Sequence, residues 1–234
     1  MEFAGRRYNA YNDWVKQAHG GRLQKVSIDA GFTCPNRDGS LGVGGCSFCN
    51  NEGFTPSYLR EQRDIRQQID TGIAFARRRY PDSRGFLAYF QSYSNTYDSL
   101  DHLKKTYELA LAHPTVSGLV IGTRPDCLPD ETLDYLAELS KRMLVELEIG
   151  IESCNDEVLR ECLRGHDFAC TEDAIRRAAR RGDHVDGVPG KARVMDDFRA
   201  RVFLEERFRQ QADNVVALDE LPFLVEQEAA VEIA

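Results

Sequence analysis

Three cysteines, Cys34, Cys46 and Cys49, stand in one short stretch, with eleven residues between the first two and two between the last two. Thiolates are soft ligands, and a group this close suits zinc or an iron–sulfur cluster. A structural zinc site wants four ligands. This stretch offers three, and the neighbouring histidine, His19, lies well upstream. Three thiolates on a cubane cluster leave one iron open to an outside ligand. Spacing alone leaves zinc and iron–sulfur level. The other cysteines, Cys127, Cys154, Cys162 and Cys170, form no metal spacing and read as ordinary small residues. Seven cysteines without an apolar leader in MEFAGRRYNAYNDW argue for metal or redox chemistry over a disulfide framework.

The elements that must position this stretch alternate. Leu23 to Ala30 alternates and is β-branched at its centre, which predicts a strand. Gly31 to Phe54 is rich in Gly, Asn, Cys and Pro and has no period, so it reads as a long functional loop. A helix is predicted over Ser57 to Tyr80, from Ile65, Ile69, Ile73 and Ala76. Further strands are expected at Phe86 to Gln91, Gly118 to Gly122 and Leu144 to Ile151. Further helices are expected at Leu100 to His113, Asp130 to Arg142 with Asp130 as cap, Asn155 to Leu163 and Thr171 to Arg181. Repeated β-α units give a parallel sheet, open or closed into a barrel, with ligands at the C-terminal ends of the strands. The cysteine loop follows the first strand and so falls at that end.

The composition, 42% hydrophobic and 29% charged, is that of a globular domain. No apolar run approaches the roughly 20 residues of a membrane helix. The expectation is a cytoplasmic protein with no membrane partner. The net charge of −8 is uneven: residues 183–234 hold twelve acidic and six basic side chains. Basic clusters at Arg6 and Arg7, at Arg60, Arg63 and Arg66, and at Arg77, Arg78 and Arg79 could touch phosphate, or could simply be a solvated face.

The segment RYNAYNDWVKQAHGGRLQKVSIDAGFTCPNRDGSLGVGGCSFCNN resembles the N-terminus of the YhcC/YtqA-like branch of the radical S-adenosylmethionine (SAM) superfamily. That branch uses the long first cysteine spacing and is similar in this to the elongator catalytic-subunit type, which acts on tRNA. The resemblance continues through FLAYFQSYSNTY, GLVIGTRPDCLPDETLDYL, VELEIGIES and RGHDFACTEDAIRRA, covering about residues 7–182. It implies that Cys34, Cys46 and Cys49 hold a 4Fe–4S cluster that reductively cleaves SAM to a 5′-deoxyadenosyl radical. An external electron donor is implied, and RNA, tRNA in particular, is the implied substrate class. Ser92, Ser94 and Asn95 occupy the place where the superfamily's Gly-Gly-Glu motif meets the SAM amino group. Arg124, at the end of the third strand, faces the same pocket. Glu148 and Glu152 are expected to alternate on the fourth strand and share a face, where one could reach the SAM ribose or the substrate. Arg164 and His166 match an Arg-Gly-His signature, and Arg164 could pair with the SAM carboxylate. Leu163 stands where the family commonly has Asn.

The implied fold is α/β, a partial (β/α) barrel of the radical SAM type cut off after about four strands. Residues 1–182 form the core and residues 183–234 an acidic, helix-like tail. Gly187 to Gly190, GVPG, echoes a family motif, but the strand before it is nearly absent. Val202, Leu204, Phe208 and Val215 give a broken helical stripe. Such a sheet leaves the fourth strand's outer edge unpaired. A damaged product, a tail that covers the edge, or a partner chain that completes the barrel would each account for it. Two other functions stand beside the enzyme: a non-catalytic relative that binds a cluster or zinc, and a zinc-binding interaction module.

Overall fold

The computed structural model describes residues 11–59, 64–182 and 198–203. In chain order the elements are α1 (Tyr11–His19), β1 (Leu23–Ile28), α2 (Asn51–Phe54), α3 (Ile65–Arg79), β2 (Gly85–Phe90), α4 (Leu100–Leu111), β3 (Val116–Thr123), α5 (Asp130–Ser140), β4 (Leu144–Gly150), α6 (Asp156–Glu161), α7 (Phe168–Gly182) and β5 (Phe198–Phe203). The five strands form one parallel sheet in the order β1-β2-β3-β4-β5.

Every strand thus neighbours the next in sequence. Because crossovers between parallel strands are right-handed, a sheet that always steps the same way must gather its crossover helices on one face. The core agrees. Ile69 and Ile73 of α3, Leu103 and Tyr107 of α4, Leu133 and Leu136 of α5, and Ala174 and Ala178 of α7 pack with Val26, Phe86, Phe90, Ile121, Leu147 and Ile149. Local signals start these helices. The Asp64 side chain accepts from Gln67 N ahead of α3, and Ser99 accepts from His102 N ahead of α4. The opposite face has its own smaller cluster, in which Val15 of α1 covers Leu23, Leu87, Val120 and Leu144. Above that cluster the same face turns polar, with Lys25, Tyr89, Glu146 and Glu148.

The four expected strands are present, with ends shifted by at most two residues. Four expectations are corrected. The helix predicted over Ser57 to Tyr80 begins only at Ile65, after a 3₁₀ turn at Ser57–Leu59. Asp130 is not the cap of α5: Pro129 holds that place, and the Asp130 carboxylate accepts from Arg177 of α7 at 3.1 Å instead. Glu152 is not on β4. The strand ends at Gly150, and Glu152 has φ +69, so the two-residue alternation that was to align it with Glu148 has stopped. Finally, Phe198–Phe203 is a strand and no part of a helical stripe. FRARVF alternates with period two, and β4 offers it a free edge of backbone donors and acceptors. The edge expected to be open is therefore paired, from Val145↔Phe198 to Gly150↔Phe203. Leu204, Phe208 and Val215, the GVPG motif, and Arg6, Arg7, Arg60 and Arg63 lie outside the described residues.

Arg77, Arg78 and Arg79 are exposed in the last turn of α3. That turn leads into the N-terminal end of β2, so the run lies at the opposite end of the sheet from the cysteine loop. Arg78 stands over Phe75 at 5.2 Å and Arg79 over Tyr80 at 5.5 Å. Among the described residues no helix is long and apolar enough to cross a membrane.

Candidate metal centre

The cysteine loop leaves the C-terminal end of β1 and closes on itself through its own backbone. Cys34 O accepts from Arg37 N at 2.8 Å and Asp38 N at 3.1 Å. Pro35 O accepts from Leu41 N, Asn36 O from Gly45 N, and Cys46 O from Cys49 N. The loop is thereby a set of nested turns, with its polar backbone satisfied internally. It is also tied down at both sides. Ser94 N, beyond β2, donates to Thr33 O at 3.1 Å, and Ser47 N donates to Cys162 O at the end of α6 at 3.0 Å.

Asn36 joins the loop to the Arg-Gly-His turn. Its buried amide nitrogen lies 2.7 Å from Leu163 O, 3.0 Å from Arg164 O and 3.3 Å from Cys46 Sγ. Leu163 itself has φ +55 and an exposed side chain just past the end of α6. This left-handed position at a helix C-terminus suits Gly or Asn and strains a leucine. An Asn at that place, as the resemblance implies, would have a backbone reason. Replacing Leu163 with Asn is expected to stabilise the fold by about 0.5–1 kcal/mol, read as a rise of a few degrees in the melting temperature.

Cys34 and Cys46 are buried and Cys49 is partly exposed. Each sulfur faces a nitrogen donor. Arg124 Nη1 lies 3.7 Å from Cys34 Sγ. Arg164 Nη1 lies 3.6 Å from Cys46 Sγ, beside the Asn36 amide. Arg37 Nη1 lies 3.1 Å from Cys49 Sγ, with Asn51 Nδ2 at 3.7 Å. Such donors suit an anionic group held on the sulfurs. Among the described residues no three of His, Cys, Asp and Glu converge as ligands of one metal ion.

The two buried arginines are fixed by other partners. Arg124 makes a two-pronged pair with Asp126, Nε to Oδ1 at 2.8 Å and Nη2 to Oδ2 at 2.7 Å. Burial opposes its charge, but the Asp126 carboxylate more than offsets that and raises its pKa further. Arg164 Nη2 donates to Gly150 O at 2.6 Å and stands 3.4 Å from Glu152 Oε1, and its Nε meets His166 Nε2 at 3.1 Å. Burial lowers the His166 pKa, and the Arg164 charge adds to this, while a contact with the Asp167 carbonyl works the other way. Beside Arg124, burial and then the Asp126 charge push the Cys127 thiol up to about 12, so Cys127 stays protonated at neutral pH.

Of the residues after β2, Asn95 is tied to the strand ends. The Asn95 amide donates to Phe90 O at 3.0 Å and Gly122 O at 2.8 Å, which knits the ends of β2 and β3. Its own carbonyl accepts from Tyr107. Ser94 is fully buried, its hydroxyl beside the Cys127 thiol, and Ser92 is buried nearby in the chain. Glu148 lies on the polar face of the sheet, where Lys25 Nζ and the Tyr89 hydroxyl each stand 2.5 Å from one of its carboxylate oxygens. The structure thus brings Arg124 and Arg164 to the three cysteines and places Glu152 against Arg164. It ties Glu148 to the strands beneath. Asn36 and Arg37 were missed in the sequence. CPNRDG reads as a turn, and only their side-chain contacts set them apart.

Comparison with known proteins bears on this site. The family model described as the radical SAM superfamily matches residues 34–196. The protein YhcC of Escherichia coli K12 is 35% identical over 192 residues, which cover 80% of this chain and 60% of that protein. The uncharacterised protein YtqA of Bacillus subtilis is 33% identical over 202 residues, covering 81% and 60%. This chain spans about 60% of the length of these curated relatives. Among solved structures, the cobalamin-dependent SAM radical enzyme OxsB aligns with 76% of this chain and 23% of its own, at a TM-score of 0.43 and 12% identity.

Proposed function

We propose that this chain, which belongs to the radical SAM superfamily, holds a 4Fe–4S cluster on Cys34, Cys46 and Cys49 and uses it on SAM. When bound, such a cluster supplies one chemistry, the one-electron reductive cleavage of SAM to methionine and a 5′-deoxyadenosyl radical. The observation that carries the reading is the donor set: three cysteines in one loop at the C-terminal mouth of the sheet, each sulfur faced by a guanidinium. The donors fit the group. Three thiolates leave one iron for SAM, and cations beside the sulfurs suit an anionic cluster.

The chain's own residues hold and orient. Asn36 and Arg164 lock the cysteine loop to the Gly150 end of β4. Arg124, held rigid by Asp126, keeps a fixed positive charge beside Cys34. With Asn95 committed to the strand ends, the SAM contact proposed for the segment after β2 rests on Ser92 and Ser94. Glu148, fixed by Lys25 and Tyr89, is the preformed anionic group of the polar face, and we assign that face to SAM or substrate. Glu152, on its left-handed backbone beside Arg164, is a second carboxylate at the mouth. For the substrate class the branch resemblance favours RNA, tRNA in particular. Arg77, Arg78 and Arg79 add nothing to that, because they lie at the far end of the sheet. An external reductant completes the proposed requirements.

The test is spectroscopic. Anaerobically reconstituted and reduced protein is expected to give the paramagnetic signal of a 4Fe–4S cluster, and adding SAM is expected to change its g-values. A zinc-only protein, or a cluster signal indifferent to SAM, would contradict the proposal.

A further inference from the structure

We infer that Arg37 sets the reduction potential of the cluster held by the three cysteines; the inference rests on the function proposed above. Three guanidiniums face the three sulfurs, but they are not equivalent. Arg124 is matched by the Asp126 carboxylate and Arg164 stands beside Glu152. Among the described residues Arg37 takes part in no ion pair, and its Nη1 lies 3.1 Å from Cys49 Sγ. Arg37 is therefore the guanidinium of the three that brings an unmatched positive charge to a ligand sulfur.

Two features of the backbone hold it there. Gly45 has φ +79, and a Cβ at that position would stand 2.9 Å from Arg37 Nη1 and 3.1 Å from Cys49 Sγ. Glycine is what lets cation and sulfur meet. On the other side, the Arg37 guanidinium carbon lies 5.6 Å from the centre of the Tyr93 ring. Tyr93 has φ +67, a left-handed conformation that is costly for an aromatic residue and persists only where its surroundings fix it. The cation is thus held between the cysteine loop and the segment after β2.

A cluster gains one negative charge on reduction. Its potential is set by net charge, by hydrogen bonds to the sulfurs and by exposure. Arg124 and Arg164 contribute contacts to sulfur with their charge offset. Arg37 contributes charge, which favours the reduced form and eases delivery of the electron that SAM cleavage needs. Because Arg37 is exposed, salt screens the effect, and a tenfold effect on the reduction equilibrium is expected, not a change of many orders.

The experiment is a redox titration of the reconstituted full chain, read by the signal of the reduced cluster, for the wild type, Arg37→Gln and Arg37→Lys. Glutamine keeps an N–H donor and removes the charge; lysine keeps the charge. Arg37→Gln is expected to make the cluster about tenfold harder to reduce, a fall of about 59 mV for one electron, at unchanged iron content. Arg37→Lys is expected to recover most of that fall. Arg37→Met, which removes the charge and the donor together, is expected to lower the potential at least as far, and it decides the matter if Arg37→Gln takes up too little iron. A loaded Arg37→Gln with the wild-type potential overturns this inference alone, as does an Arg37→Lys that falls as far as Arg37→Gln. A wild-type chain that takes up no cluster overturns both this inference and the function on which it rests.

Discussion

Replacing Cys34 with alanine is expected to abolish cluster uptake: bound iron falls from about four atoms per chain to below one, and the brown absorbance near ~400 nm disappears. Cys34 is the first of the proposed ligands and is buried at the foot of the loop's nested turns, where its carbonyl takes two backbone N–H groups. The turn itself survives the substitution, because those bonds use the backbone. What is lost is one thiolate of three, and the two that remain cannot hold a cubane. Iron and sulfide analysis after anaerobic reconstitution checks this. Cys154→Ala is the matched control. Cys154 lies outside the loop, and burial together with the Glu172 charge raises its pKa, so its removal is expected to leave iron content unchanged. Equal loss in both variants would mean that the loop is not the site.

The second large effect is expected from Arg164→Met. This side chain, 7% exposed, is the clamp between β4, the Arg-Gly-His turn and the cysteine loop. Removing it takes a donor from Gly150 O and from Cys46 Sγ and a cation from Glu152. Breaking a fully buried ion pair costs about 3–5 kcal/mol. Glu152 is a quarter exposed, which reduces that part, while the buried Gly150 carbonyl adds about 1–3 kcal/mol if left without a donor. A loss of about 3 kcal/mol follows, or roughly 6–12 °C in the melting temperature of a domain this size. Cluster loading is expected to fall with it, because the Cys46 end of the loop loses its anchor. Arg164→Lys is expected to recover little. An ammonium cannot reach Gly150 O, Cys46 and Glu152 together as the planar fork does. The assignment matters for the sequence reading, which gave Arg164 to the SAM carboxylate. Here its nitrogens are already engaged, so melting and loading are expected to change more than SAM affinity in the fraction that still loads.

What the sequence made legible follows a physical rule. β1 to β4 are apolar runs bounded by turn residues, and α3 and α4 carry clear stripes behind Asp64 and Ser99. Periodicity is local, and the strands and helical stripes were read from it; the Asp64 and Ser99 caps were not. The cysteines stood out as three thiols in one loop without period, though their spacing alone left zinc and iron–sulfur level. Readings that needed the third dimension failed in identifiable ways. Glu152 was aligned with Glu148 by counting, but the strand stops at Gly150 and the backbone turns left-handed. Asp130 looked like a cap, but α7 brings Arg177 to its carboxylate. That the amide nitrogen of Asn95 would span the ends of β2 and β3 could not be seen from the sequence either. β5 was overlooked although FRARVF alternates, because its partner edge is a property of the sheet and its surroundings in sequence are charged. Arg37 and Asn36 were invisible for the same reason: a turn sequence does not say which sulfur its side chains will meet.

The polar face of the sheet connects these points. In an all-parallel sheet whose crossover helices lie on one side, the other face is either covered or used. Here its lower part is covered by Val15, and its upper part carries Lys25, Tyr89, Glu146 and Glu148. Buried carboxylates of this kind are costly unless paired, and Glu148 is paired with Lys25.

The central claim is that the three cysteines serve SAM cleavage, and product analysis tests it most directly. Reconstituted protein, reduced with dithionite under anaerobic conditions and given SAM, is expected to yield 5′-deoxyadenosine and methionine in amounts exceeding those from the Cys34→Ala chain. A chain that carries its full cluster yet forms no 5′-deoxyadenosine above that control would contradict the claim and leave a cluster-binding relative without the chemistry.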